Sequence, residues 1–411
     1  MALTQLLNAR IVDGTSDRPF DPVNVLIEDD VIREVGAGAR VEGAESVDLG
    51  GRVLMPGLID AHVHVVACLA DLGANAKLPD SLVAARAIGI MNAMLMRGFT
   101  TVRDVGGADH GLCVAADEQF VPMPRLVRSG KALSQTGGHC DFRGRFDDRP
   151  EPKTGFRLGA LGRVCDGIDE VRRACREEIK QGADFIKVMA NGGVASPTDP
   201  IHFMGFSRSE LSAMVEEAEG AGTYVSAHLY TPEAIQRAVE CGVHSLEHCN
   251  LITPEVASAA ARAGAVCVPT LVTYEMLFSE GASLGFPKDS AAKIDNVRLK
   301  GLESLSIMQE AGCAMAYGSD LLGAMHRHQS EEFVIRGRVL EAKDVIASAT
   351  HVAARLCRME NHIGVVAPGA YADLIVVDGD PLKDLSLLTG QGRAMPIIMR
   401  GGRFAKREAL A

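Results

Sequence analysis

The chain reads as an α/β protein: a TIM-type (β/α)8 barrel with a small β-sandwich domain formed from both chain ends. Three observations predict this. Through the middle of the sequence, apolar β-like runs followed by stretches of helical period recur at roughly 30-residue intervals, the alternation of a parallel barrel. Eight such runs can be counted, the number this barrel needs to close. The two ends share a different character, with short alternating or β-branched runs punctuated by Gly and Asp. The expected division is residues 1–56 plus 360–411 for the small domain and 57–359 for the barrel, and 411 residues suit two such units.

In chain order, LLNARIVDG, VNVLIEDDVIREVG and ESVDLGGRVLMPG supply the first strands of the small domain. The barrel strands are expected at VLMPGLIDAHVHV, TTVRDVGG, PRLVRSG, ADFIKVMANGG, TYVSAHLY, HSLEHCN, AVCVPTLV and AMAYGSD. Helix starts between them are marked by Ser207 with Glu210, a capping box, and by Thr231 before Pro232, a cap residue ahead of an N1 proline. Glu331 and Glu332 are expected to open another helix, where carboxylates suit the N-terminal dipole. ADLIVVDGD and MPIIMRGGRFA return the chain to the terminal sheet. Two stretches, about 137–160 and about 275–292, are longer than a connection requires and are expected to shape access from the barrel's upper face.

The apolar content of 47% is ample for a full core. A net charge of −11 without a basic stripe, and no Trp, argue against nucleic acid as a partner. No apolar stretch is long enough to span a membrane, and the N-terminus lacks a signal-peptide pattern, so a cytoplasmic protein is expected. The ten Cys show no CxxC spacing, and Cys175, Cys241 and Cys313 sit in apolar patterns, which reads as reduced packing residues.

The chemistry lies at the strand ends. His62 and His64 alternate by one residue, so both imidazoles point to one side of the first barrel strand. Alone, an HxH pair is equally two polar residues closing a strand. His228, His248 and Asp320, however, terminate three other strands at the face where barrel enzymes keep their sites, and convergent imidazole and carboxylate is what a divalent metal binds. Lys187 lies inside an apolar strand, where a charge costs several kcal/mol unless paired or neutral. One reading is a buried ion pair. The other is a neutral amine that reacts with carbon dioxide to a carbamate, an anionic ligand able to bridge two cations.

PGLIDAHVH, TTVRDVGG, FIKVMANGGVASPTDP, SAHLYTPEAI, HSLEHCN, GSDLLGAMHRHQSEEF and IGVVAPGAYADLIVVDGDPL together resemble the amidohydrolase superfamily, in particular its prolidase-like group of Xaa-Pro dipeptidases and N-acyl amino acid carboxypeptidases. The resemblance covers nearly the whole chain. It implies two Zn2+ ions. His62, His64 and Asp320 would hold the more buried one, His228 and His248 the more exposed one, and Lys187 carboxylated by CO2 would bridge them with a hydroxide. Asp320 would also shuttle the proton. The resemblance gives Tyr230 and His139 oxyanion or substrate-carbonyl roles, although Cys140 stands where the group's pattern has a smaller residue.

The implied substrate is a small molecule, a dipeptide with Xaa-Pro favoured or an N-acyl amino acid, whose free carboxylate needs a cation. Arg143, Arg145, His326, Arg327 and His328 are loop candidates, with His328 and Arg143 placed first. A homo-oligomer is left open. Rival readings are an imidazolone-type ring hydrolase, a deaminase, a hydrolase of acylated xenobiotic amides, or a non-catalytic barrel scaffold. Lys187 argues against the first two, and Thr231 stands where deaminase-like members carry a glutamate.

Overall fold

A computed structural model of the chain describes residues 2–36, 38, 40–147, 157–196, 198–287 and 293–410. The first strands are β1 (Leu3–Ile11), β2 (Val23–Glu28), β3 (Val31–Gly36), β4 (Glu45–Asp48) and β5 (Val53–Pro56). The middle of the chain supplies β6 (Leu58–Val63), β7 (Phe99–Asp104), β8 (Arg125–Arg128), β9 (Ala132–Ser134), β10 (Gly162–Val164), β11 (Ile186–Met189), β12 (Val225–Leu229), β13 (Ser245–His248), β14 (Val266–Val268) and β15 (Ala314–Met315). The last strands are β16 (Leu374–Val377), β17 (Ile397–Arg400) and β18 (Arg403–Arg407).

β6, β7 and β8 pair in parallel, and so do β9, β11, β12, β13, β14 and β15. The two arcs join into a barrel at both seams. At one seam Ala61 N donates to Tyr317 O at 2.7 Å and Asp320 N to His62 O at 2.8 Å. At the other, the third strand is broken: β8 pairs with β7 and β9 with β11, the kink passing through left-handed Gly130. The run PRLVRSG is therefore only half of that strand, and β10 adds an extra strand beside β9. Every residue of β6, β7, β11, β12 and β13 is buried. Strands covered on both faces favour continuous apolar runs, so a charged residue within them needs a partner or a task.

The ends build one eight-stranded sheet in the order β18-β17-β16-β5-β1-β2-β3, with β4 beside β1. The segment VLMPGLIDAHVHV, read as one strand, divides: β5 belongs to this sheet and β6 opens the barrel. The sheet has its own core, including Leu6, Val25, Ile27, Ile32, Leu54 and Met399.

The Ser207–Glu210 capping box and the Thr231 cap before Pro232 both form. Glu332 does more than face a helix dipole. Fully buried, it accepts the backbone N–H groups of Leu271 (3.0 Å) and Val272 (2.7 Å) and pairs with Arg336 at 2.9 Å. Of the long stretch expected over 275–292, the first part is helix to Glu280 and a 3-10 turn over Gly281–Leu284, because Met276 and Leu277 continue an apolar helical face; residues 288–292 lie outside the described residues. Of the stretch over 137–160, residues 148–156 lie outside them too. Among the described residues, no helix is long and apolar enough to cross a membrane.

Candidate active site

Parallel pairing brings the strand-end residues to one face of the barrel. His62 lies in β6 and His64 just beyond it; Lys187 lies in β11, His228 in β12, His248 at the end of β13 and Asp320 beyond β15. Across neighbouring strands Met189 is level with His228, and Leu229 with His248. All six line one cavity, together with His139 and Tyr230. His248 and Asp320 adopt left-handed backbone conformations, φ 71° and 51°, uncommon for non-glycine residues and concentrated at functional sites. Gly318 makes the approach to Asp320 sterically allowed, since a Cβ there would press on His62 and Val268 at 2.8 Å.

The donor atoms of His62, His248 and Asp320 all lie within 4.8 Å of one another, a group that could hold a metal ion. Asp320 Oδ1 is 3.3 Å from Nε2 of both His62 and His64. Each of these histidines uses its other nitrogen for support. His62 Nδ1 donates to Glu247 Oε2 at 2.7 Å, His64 Nδ1 to the Gly106 carbonyl at 2.9 Å, and His248 Nδ1 shares a 2.7 Å hydrogen bond with Thr270 Oγ1. That leaves the Nε2 atoms for a cation, the outer-shell arrangement typical of metal-binding imidazoles. His228 Nε2 and Lys187 Nζ are buried without a hydrogen-bond partner. Unpartnered polar atoms are costly inside a protein, and here they point to a missing cationic or anionic counterpart.

Electrostatics run the same way. Burial pulls the Lys187 ammonium down to about 8, bringing the reactive neutral amine within reach near neutral pH, and holds His228 and His248 well below the ordinary imidazole range, so both imidazoles stay in the neutral form that binds metal. Burial opposes charge on Asp320 as well, but His62, His64 and His248 together outweigh it and hold the carboxyl well below its usual range.

Beneath the histidines lies a buried ion cluster that sequence reasoning missed. Glu247 Oε1 accepts from Ser226 and Ser245 hydroxyls at 2.6 Å each and from Arg103 at 3.2 Å. Arg103 also donates to the Ala61 carbonyl at 2.7 Å and lies over the Phe185 ring. Its neighbour Asp104 accepts from Val65, Gly106 and Ala108, fixing the turn whose carbonyl holds His64. Asp60 reinforces the seam between β6 and the residues after β15 by accepting from Ser319 N (3.2 Å) and Ser319 Oγ (2.6 Å). Glu247 and Arg103 stand in strands, SLEH and FTTVRD, that carry other polar residues, so the signal that singled out Lys187 in IKVM does not mark them.

Tyr230 is buried, with its ring stacked on His248 and its hydroxyl 2.8 Å from that of Tyr274. Asn191 sets its position by accepting the backbone N–H groups of Tyr230 and Thr231. His139 stacks on His228 with ring centroids 4.4 Å apart. Arg143 and His328 stand outside the cavity lining: Arg143 pairs with Asp141 (2.6 Å) and His328 Nε2 with Glu280 (2.9 Å). The remaining walls are largely apolar, with Leu72, Phe142, Leu161, Val194, Leu277 and Leu322.

Residues 53–402 match the Amidohydrolase family. Ochratoxinase of Aspergillus niger is 30% identical, the match covering 98% of this chain and 87% of that protein. A prolidase solved with n-methylphosphonate-l-proline superposes with a TM-score of 0.97 at 47% identity, over 99% of this chain and all of that one (100%). A Xaa-Pro dipeptidase with bound methionine in its active site gives 0.87 at 28% identity, over 98% of this chain and 99% of that one.

Proposed function

Because the chain belongs to the amidohydrolase family and is a hydrolase of amide or peptide bonds, we propose that it cleaves the amide bond next to a C-terminal carboxylate, in Xaa-Pro dipeptides first and in N-acyl amino acids second. The observation that carries this reading is the meeting of His62, His64, Lys187, His228, His248 and Asp320 in one cavity, with Lys187 Nζ buried and unpartnered. The likeness to a prolidase and a Xaa-Pro dipeptidase supports the choice of substrate.

The donor set fits two divalent cations, zinc by preference for imidazole and carboxylate ligands. His62, His64 and Asp320 would hold one, His228 and His248 the other, and Lys187, as its carbamate, would serve both. When bound, such a pair acidifies water and polarises a carbonyl. The Asp320 carboxylate takes the proton of the attacking water and returns it to the departing nitrogen. Burial raises the Tyr230 phenol far above its usual range, so it stays protonated and can donate to the carbonyl oxygen as charge builds there. His139, stacked on His228 in the same cavity, would serve that oxygen as well. The substrate carboxylate would be received by His328 or Arg143, exchanging for Glu280 or Asp141. The apolar walls favour apolar side chains and keep bulk water from the reacting centre.

The test is hydrolysis of a panel of Xaa-Pro dipeptides and N-acyl amino acids before and after chelation. Release of a free amino acid that stops on chelation and returns with zinc is the expected result. A panel left intact by the zinc-loaded enzyme would overturn the assignment.

A further inference from the structure

The segment FIKVMANGGVASPTDP contributes Lys187 and the cavity-lining residues Met189, Val194 and Ala195, yet its SPTDP end has no role in the reaction described above. That end contains a buried acid. Asp199 is only 3% exposed, and a carboxylate withdrawn from water needs compensation. Ser196 Oγ donates to Asp199 Oδ1, and Ser196 Oγ lies 2.8 Å from Nδ1 of His139. Asp199 Oδ2 has no hydrogen bond of its own and stands 3.5 Å from the same Nδ1.

An ionised carboxylate only accepts, so the single hydroxyl proton of Ser196 goes to Asp199. The lone pairs of Ser196 then face His139, and the ring proton sits on Nδ1. Nε2 is left as the nitrogen available to the cavity that His139 lines.

The loop is built to hold this geometry. Gly193 packs so closely on the His139 ring that any Cβ would overlap it. Lys293 Nζ donates to the carbonyls of Gly193 (2.9 Å), Ser196 (2.9 Å) and Asp199 (3.2 Å), clamping the turn from the far side.

We infer that Asp199, acting through Ser196, is a positioning residue that fixes the orientation and tautomer of His139 toward the substrate. The inference rests on the amide-hydrolysis reading. A carboxylate that merely capped its own loop would also be buried here, so the two roles must be separated by coupling to His139.

The experiment is a double-mutant cycle on the zinc-loaded enzyme, using the best dipeptide of the panel, with Asp199→Asn, Ser196→Ala, His139→Gln and the Asp199→Asn/His139→Gln pair. Asp199→Asn and Ser196→Ala are each expected to lower kcat about ten- to a hundredfold with KM little changed, as removing a supporting or oxyanion-directed group does. In the His139→Gln background, Asp199→Asn should cost nothing further, with metal content and Tm held in every variant. Long-range 1H–15N spectra of the metal-free protein should show the His139 proton on Nδ1 in the wild type and its redistribution in Asp199→Asn. An undiminished Asp199→Asn loss in the His139→Gln background, or a loss that follows Tm or metal content, overturns the inference. So does an unchanged tautomer. If the wild type cleaves none of the panel, the functional reading fails instead, and the spectra still decide whether Asp199 orients His139.

Discussion

The terminal sheet and the upper face of the barrel are both buried, and they are buried with opposite materials. The sheet covers Leu6, Val25, Ile27, Ile32 and Leu54, side chains with no polar atom to satisfy. The barrel face withdraws His62, Arg103, Lys187, His228, Glu247 and His248 from water. Apolar burial stabilises a fold directly, whereas each buried ionisable group costs free energy unless it is paired or put to use. The contrast assigns stability to one region and chemistry to the other, and substitutions in each should separate the two.

The largest effect is expected at Asp320. Asp320→Asn removes the proposed acid and base, and kcat should fall about 10²–10⁴-fold while Tm changes little. A mild change in kcat would take the proton shuttle away from Asp320. Glu247→Gln should weaken metal binding about 10- to 100-fold in a chelator competition, because His62 loses its carboxylate partner; unchanged affinity would reduce the ion cluster to a structural one. In the terminal sheet, Ile27→Ala should cost about 2–5 kcal/mol in denaturant unfolding with kcat and metal content intact. Lost metal in that variant would mean that the regions are not separable. The smallest effect belongs to the cap: Ser207→Ala should cost about 1 kcal/mol and leave catalysis untouched, as read by thermal unfolding and kcat.

Much of this contrast was legible in the chain. Period and turn chemistry located the barrel strands, and the capping box at Ser207 and the Thr231–Pro232 start are local signals decided within a few residues. Lys187 stood out because its strand is otherwise apolar. The break at Gly130 did not, since a single left-handed glycine inside a β-like run looks like any other turn residue. Nor did the supporting cast. Glu247 meets His62 across 185 positions of sequence, and Ser196 meets His139 across 57; no local pattern encodes such pairs. Glu332 was read from its own helix alone, whereas its partners Leu271 and Val272 lie on another.

The central claim, a two-metal centre completed by Lys187, is tested most directly by elemental analysis of the wild type and of Lys187→Ala after loading with zinc and desalting. The account predicts two metal ions per chain in the wild type and a loss of that stoichiometry in the variant, with both proteins folded. Two metal ions retained in Lys187→Ala would contradict it.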